Sequence, residues 1–212
     1  MAQDESLLVA AFYRFAPLQN LPCLRAELQQ LGGDQGLLGT VLLAAEGVNG
    51  TVCGRAEAVI ALLDRLRSEA GFEALEEKRS WCDQPCFLRF KVRLKAEIVT
   101  MGCEGIDPGE QVGAYVPPEQ WNDLIADPTT LVIDTRNSYE VGVGSFAGAV
   151  DPQTESFREF PSWAAEQLRP LMQERGAKRL ALFCTGGIRC EKAPKVVRVW
   201  LPWSSRSRWS SW

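Results

Sequence analysis

A glycine-, proline- and acid-rich stretch, TMGCEGIDPGEQVG at residues 100–113, interrupts two blocks of regular hydrophobic patterning. The chain therefore cannot bury its apolar residues in one continuous core, and two domains are expected, with the boundary near Gly109. A length of 212 residues leaves room for two small domains. The assignment is 1–105 for the first domain, 106–193 for the second, and 194–212 for a tail of different character.

The first block opens on LLVAAFYRF, a run of apolar and aromatic residues typical of a strand. Asn20 stands where it can cap LPCLRAELQQL, in which Leu21, Leu24, Leu28 and Leu31 share one helical face. Gly32 and Gly33 are expected to end that helix. GTVLLAAEG and TVCG follow, joined through Val48-Asn49-Gly50, and Asn-Gly predicts a hairpin turn there. AEAVIALLDRLRSEAG has the period of a second amphipathic helix stopped at Gly71. FLRFKVRLKAEIVTM alternates as a strand with one buried face. The order β-α-β-β-α-β predicts a ferredoxin-like α+β plait.

In the last of these strands Arg89, Lys91, Arg93 and Lys95 point one way, and Leu88, Phe90, Val92 and Leu94 the other. The basic face reads either as solvated surface or as a surface for a nucleic-acid backbone, since like charges on one face repel unless an anion relieves them. The net charge of −4 argues against a generally polycationic nucleic-acid binder. Charge is unevenly placed, however. From Lys178 onward there are eight basic residues and one acid, Glu191.

In the second block TLVIDT and RLALFC are short, β-branched or apolar runs, as expected of strands buried on both faces of a parallel sheet. PSWAAEQLRPLMQERG supplies the crossover helix, with a kink expected at Pro170. In such sheets sites form at the carboxyl ends of the strands. Asp134-Thr135-Arg136 and Cys184 both stand at such ends.

Histidine is absent from the whole sequence, which excludes Ser-His-Asp and Cys-His catalysis and histidine metal ligands. No apolar run approaches the roughly 20 residues that span a bilayer, so no membrane segment is expected. The acidic start, MAQDESLLVAAFYRF, lacks the basic region of a signal peptide. Seven cysteines without a small-scaffold spacing fit a reducing cytoplasm better than a disulfide framework.

The chemistry concentrates in Cys184-Thr185-Gly186-Gly187-Ile188-Arg189. A cysteine closing a strand and followed by two glycines can sit in a cradle of backbone N–H groups. A following helix N-terminus and the Arg189 charge also favour thiolate, and such surroundings lower a cysteine pKa from about 8.5 into roughly 3.5–7.5. The bland alternative is a buried cysteine in a strand-to-helix turn. Cys190, just beyond the loop, reads either as a resolving thiol or as an ordinary helix-face residue. Cys82 and Cys86, in CDQPC, have the spacing to bind a metal or bridge, but no partner pair is in view. No metal constellation and no flavin or nicotinamide fingerprint is visible, so no cofactor is identifiable.

These strings carry a resemblance. CTGGIR resembles the active loop of rhodanese domains, and Asp134-Thr135-Arg136 with GSFAGAV resembles their earlier signature. Four residues separate Cys184 from Arg189, one fewer than in the related cysteine phosphatases, which points to sulfur chemistry rather than dephosphorylation. CTGGIRCEKA, DTRNSYE, FREFP, AAEGVNGT and KVRLKAEIVTMG together resemble the rhodanese-related tRNA uridine(34) hydroxylases, from about residue 7 to Ala193. The resemblance implies a ferredoxin-like domain followed by a parallel-sheet rhodanese-like domain. It implies oxygen-dependent 5-hydroxylation of the tRNA wobble uridine, with Cys184 reactive and molecular oxygen as co-substrate. tRNA, through its anticodon region, is the implied partner, and Arg89, Lys91, Arg93 and Lys95 are the candidate contacts. A persulfide-forming sulfurtransferase is the alternative, and an inactive RNA-binding or vestigial product a third.

After Ala193 the resemblance stops, at Pro194 and KVVRVWLPWSSRSRWSSW. Rhodanese domains place a further strand centrally, beside the one carrying the cysteine. Without it the edge of LALF is expected to be unpaired and the domain incomplete. The tail, with four tryptophans and alternating Ser and Arg, reads as a shifted frame or premature end, or else as a nucleic-acid stacking tail or an interfacial membrane segment, with VVRVWLPW able to supply a makeshift strand. Ser145 stands where rhodanese-like sequences commonly carry histidine.

Overall fold

In the computed structural model, residues 6–103, 105–106, 114–200 and 209–211 are described. The chain divides into two compact units, Met1–Ile98 and Val99–Trp212. Gly109 lies outside the described residues.

The first unit runs β1 (Leu7–Phe15), α1 (Leu21–Asp34), β2 (Leu38–Ala44), β3 (Gly47–Gly54), α2 (Ala56–Arg67), β4 (Glu77–Cys82) and β5 (Phe90–Leu94). Its sheet has the order β4-β1-β3-β2-β5. Each neighbouring pair among β4, β1, β3 and β2 is antiparallel, which is the plait expected from the sequence, and β5 is added parallel to β2. Leu8, Ala10 and Phe12 of β1 alternate into the core, meeting Val48 and Val52 of β3 and the apolar stripes of α1 (Leu24, Leu28) and α2 (Val59, Leu62, Leu63, Leu66).

Four local expectations are corrected. The closing strand of the plait is β4, not the 87–101 segment, which contributes only the short edge strand β5. The hairpin turn lies at Ala45-Glu46, and Asn49-Gly50 are paired within β3. Gly50 is there for space: a Cβ on it would lie 2.8 Å from the Phe12 ring and 3.0 Å from the Thr40 carbonyl oxygen. The first helix continues through Gly32 and Gly33 to Asp34. Gly32 lets α1 approach β5, because a Cβ would fall 2.2 Å from the Phe90 ring. Asn20, at φ 50°, makes no side-chain cap bond.

The alternation in β5 also holds only in part. Val92 is buried and Phe90 packs against the core, but Leu88 is 97% and Leu94 42% exposed. Arg89, Arg93 and Lys95 are exposed and Lys91 is half-buried.

The second unit runs β6 (Ala114–Tyr115), α3 (Pro118–Ala126), β7 (Thr130–Asp134), α4 (Ser138–Val141), α5 (Phe160–Glu174), β8 (Arg179–Phe183), α6 (Ile188–Trp200) and β9 (Trp209–Ser211). Its parallel sheet has the order β6-β9-β8-β7. Both faces of β7 and β8 are covered, as their apolar sequences predict. Leu131, Ile133, Leu180 and Leu182 face α5 and α6, through Leu168, Met172, Ala193 and Val197. Val132, Ala181 and Phe183 pack on Trp121 of α3. α5 passes through Pro170 as one helix.

The chain beyond Ala193 also departs from expectation. Helix α6 runs through Pro194 to Trp200, so VVRVW is helical rather than a strand. A proline inside a helix costs about 3 kcal/mol, and burial of Ala193, Val196 and Val197 opposes that cost. The edge of β8 is not left unpaired, because β9 joins it with Leu180 opposite Trp209 and Leu182 opposite Ser211.

Candidate functional site

β7 and β8 lie side by side in register, Asp134 opposite Phe183, so the segments that follow them emerge together at the carboxyl edge of the sheet. The Asp134-Thr135-Arg136 turn and the Cys184–Arg189 loop are thereby neighbours. The Thr135 N–H and hydroxyl both donate to the Phe183 carbonyl oxygen, at 3.0 and 2.8 Å, which ties the two turns together.

Cys184 is buried, 3% exposed, on the face of β8 that carries Leu180 and Leu182. The backbone reverses at Gly187, whose φ of 92° only glycine adopts readily. Its N–H donates to the Cys184 Sγ at 3.1 Å, and its carbonyl accepts the Cys190 N–H at 2.9 Å as α6 begins. A Cβ on Gly186 would meet nothing within 4 Å, so that residue leaves the mouth of the loop open.

The thiol of Cys184 is held down to a pKa of about 6. The side chain of Cys190 donates to it and is the largest cause. Burial opposes ionisation, while the Arg189 charge and the N–H groups of Arg189 and Cys190 favour it. At pH 7 a group with that pKa is about nine-tenths thiolate. The same contact, with burial, pushes the Cys190 thiol well up, so the two buried sulfurs share one proton between them.

Arg189 does not reach into the loop as a free charge. Its guanidinium is clamped by Glu140 of α4 through Nη1–Oε2 at 2.7 Å and Nη2–Oε1 at 2.8 Å. Thr185 Oγ1 donates to the same carboxylate at 2.9 Å. Burial works against ionisation of Glu140, but the bonds from Arg189 and Thr185 and the Arg189 charge outweigh it and lower its pKa. Glu140 also accepts the Asn137 N–H at 3.2 Å, which fixes it on the short helix α4.

A second clamp lies beside the first. Asp134, fully buried, accepts from Arg136 Nε at 2.8 Å, Arg136 Nη2 at 2.7 Å and Ser145 Oγ at 2.8 Å. Arg136 Nη2 also donates to the Gly144 carbonyl at 2.6 Å, and the guanidinium lies 5.4 Å from the Phe183 ring centroid. Ser145, which stands where rhodanese-like sequences commonly carry histidine, thus acts as a donor to the buried Asp134.

The sequence-predicted residues Cys184, Thr185, Gly186, Gly187, Ile188, Arg189, Cys190, Asp134 and Arg136 are therefore gathered at one edge. Glu140 was not singled out. Its signal was its place in DTRNSYE, where a carboxylate six residues after Asp134 stands one turn into a helix.

The four basic residues at 89–95 lie in the first unit, around β5. Lys91 has its pKa lowered, by the charge of Arg89 first, then burial and the charge of Arg93. The mutual repulsion expected from the sequence is thus present. Among the described residues none of the four forms an ion pair with a carboxylate.

A family model described as the UPF0176 acylphosphatase-like domain matches residues 7–98. A protein of Synechococcus sp. (strain CC9605) called tRNA uridine(34) hydroxylase is 54% identical over 205 residues, 93% of this chain and 63% of that protein. Its counterpart of the same name from Synechococcus sp. (strain CC9902) is 56% identical over 199 residues, 91% of this chain and 65% of that protein. One from Teredinibacter turnerae, also so named, is 52% identical over 191 residues, 90% of this chain and 58% of that protein. The chain spans about three-fifths of the length of these curated relatives.

Proposed function

We propose that this chain, which over about nine-tenths of its length is similar to proteins named tRNA uridine(34) hydroxylase, hydroxylates uridine 34 of tRNA to 5-hydroxyuridine. Molecular oxygen is the co-substrate in this reading, Cys184 the reacting side chain, and the cytoplasm, where tRNA is found, the place of action. The observation that carries it is the buried Cys184 held as thiolate without any histidine. Donors from Gly187 and Cys190 meet the sulfur directly, so its ionisation does not rest on a mobile base.

The charges around the loop favour an uncharged reacting group. Arg189 and Arg136, the two guanidinium groups at this edge, are each neutralised by a carboxylate, Glu140 and Asp134. An anionic sulfur donor such as thiosulfate would meet a thiolate with little compensating positive charge, whereas a uracil ring carries no charge to be repelled. Phosphates of the same tRNA would be met elsewhere, by Arg89, Lys91, Arg93 and Lys95, whose crowding an RNA backbone would relieve.

Nucleoside analysis of tRNA tests the proposal. Cells lacking the gene should lose 5-hydroxyuridine-derived nucleosides, wild-type chain should restore them, and Cys184→Ser should not. Restoration by Cys184→Ser, or no loss on deletion, refutes it. The second reading, a persulfide-forming sulfurtransferase, has the short Cys184-to-Arg189 loop in its favour. It requires a thiosulfate-dependent mass gain of one sulfur on the Cys184 peptide. A chain that neither restores the nucleosides nor gains sulfur is the inactive product.

A further inference from the structure

The first unit brings together three thiols that are far apart in sequence. Cys53 lies near the end of β3, Cys82 ends β4, and Cys86 stands in the turn that follows. β1 separates β3 from β4 in the sheet, pairing Cys53 with Val9 and Cys82 with Leu7. Leu7 and Val9 are two residues apart on one strand, so their partners' side chains fall on the same face. That face is opposite the one on which Leu8 and Ala10 enter the core. The turn after β4 returns Cys86 to it. The three Sγ atoms all lie within 4.8 Å of one another, and Cys53 Sγ is 3.7 Å from Cys82 Sγ.

We propose that Cys53, Cys82 and Cys86 form a three-thiolate site for a zinc ion. Zinc–sulfur bonds of about 2.3 Å in a tetrahedron put neighbouring sulfurs about 3.8 Å apart, the separation already present between Cys53 and Cys82. Thiolates select zinc over hard cations such as magnesium or calcium. A purely hydrophobic role explains the trio poorly: Cys53 is fully buried yet stands apart from the apolar cluster, and Cys86 is exposed. The graded exposure, from buried Cys53 through half-buried Cys82 to exposed Cys86, opens the site to solvent on one side. The fourth coordination position would therefore go to water. The ion would tie β3 to β4 across β1 and pin the 83–86 turn. β4 gains most from this, as an edge strand whose four central residues, Lys78 to Trp81, are exposed. The sequence offered only Cys82 and Cys86; the third ligand comes from sheet pairing.

The test is titration of the full chain, reduced and freed of metal by chelator, first with cobalt(II) and then with zinc(II). One equivalent of cobalt should produce a thiolate-to-metal charge-transfer absorption, which zinc then bleaches. Cys86→Ser alters an exposed turn and leaves the core untouched, so its circular dichroism should match wild type. Its zinc affinity should fall by more than the roughly 10–100-fold that loss of a supporting contact costs. The Cys184→Ser/Cys190→Ser double variant should bind as wild type does. The proposal is overturned if no absorption appears, if it survives Cys86→Ser at wild-type affinity, or if it vanishes in the double variant. A Cys82–Cys86 disulfide that persists under reductant, seen as a loss of two hydrogens in the intact mass, also overturns it.

Discussion

Replacing Cys190 with alanine should raise the pKa of Cys184, by an amount the structure bounds. The Cys190 side chain is the largest cause of the lowered value of about 6. A hydrogen bond to a charged group contributes about 1.5–3 kcal/mol, and one pKa unit corresponds to about 1.36 kcal/mol. Its removal therefore moves the thiol by about one to two units. The S–H is a weak donor, which puts the expectation near one unit, at about 7. At pH 7 the thiolate fraction then drops from about nine-tenths to about one-half. Cys190→Ser retains a donor and should stay near 6. The assay is alkylation by iodoacetamide across pH 4.5–9, followed by mass spectrometry of the Cys184 peptide. Each profile is scaled to its own alkaline plateau, so that slow entry of reagent to a buried sulfur cancels. Equal midpoints in wild type and Cys190→Ala, with unchanged circular dichroism, refute the shared-proton account. The Gly187 N–H and Arg189 would then be the source of the shift.

Glu140→Gln should destabilise the second unit by about 1.5–3 kcal/mol, the contribution of a hydrogen bond to a charged group in this half-buried pair, measured by urea unfolding at pH 7. Its pH dependence has a definite sign. The folded pKa of Glu140 lies below the ordinary 4.5, so its stabilisation is complete above that value and is lost as pH falls through the folded one. Wild type should therefore weaken in acid below about pH 4.5, and Glu140→Gln should lose this component of the slope. Gly32→Ala should cost the first unit about 1–3 kcal/mol through overpacking against Phe90, and a melting temperature equal to wild type would show that the helix can retreat freely.

The residues that announced themselves in sequence were those whose environment is dictated locally. The apolar runs of β1, β7 and β8 predicted their strands, and the Cys184 loop predicted its own cradle, because glycine and arginine act within a few residues of the sulfur. What stayed hidden depends on distant partners. β4 exposes Lys78 to Trp81, so its sequence, EKRSWC, lacks the alternation that identifies a half-buried strand. Asn49-Gly50 looked like a turn because nothing nearby indicates that Phe12 needs the space over Gly50. The two glycines at 32 and 33 looked like a stop, yet one of them is a packing contact. Glu140 and Cys53 each acquire meaning only from a residue about 30 to 50 positions away, Arg189 in one case and Cys82 in the other.

The place of β9 bears on how the second unit assembles. It sits between β6 and β8, although it is the last of the four strands in sequence, and about 95 residues separate Ala114 from its neighbour Ser210. Neither β6 nor the outer edge of β8 finds its final partner until those late residues have been made and inserted. Closure of so long a loop is slow and carries no reward until it is complete. During synthesis, β7, β8 and α5 can already pack while a slot stays open beside the strand that leads to Cys184, and that interval is when the domain is most exposed to misassembly and to chaperone capture.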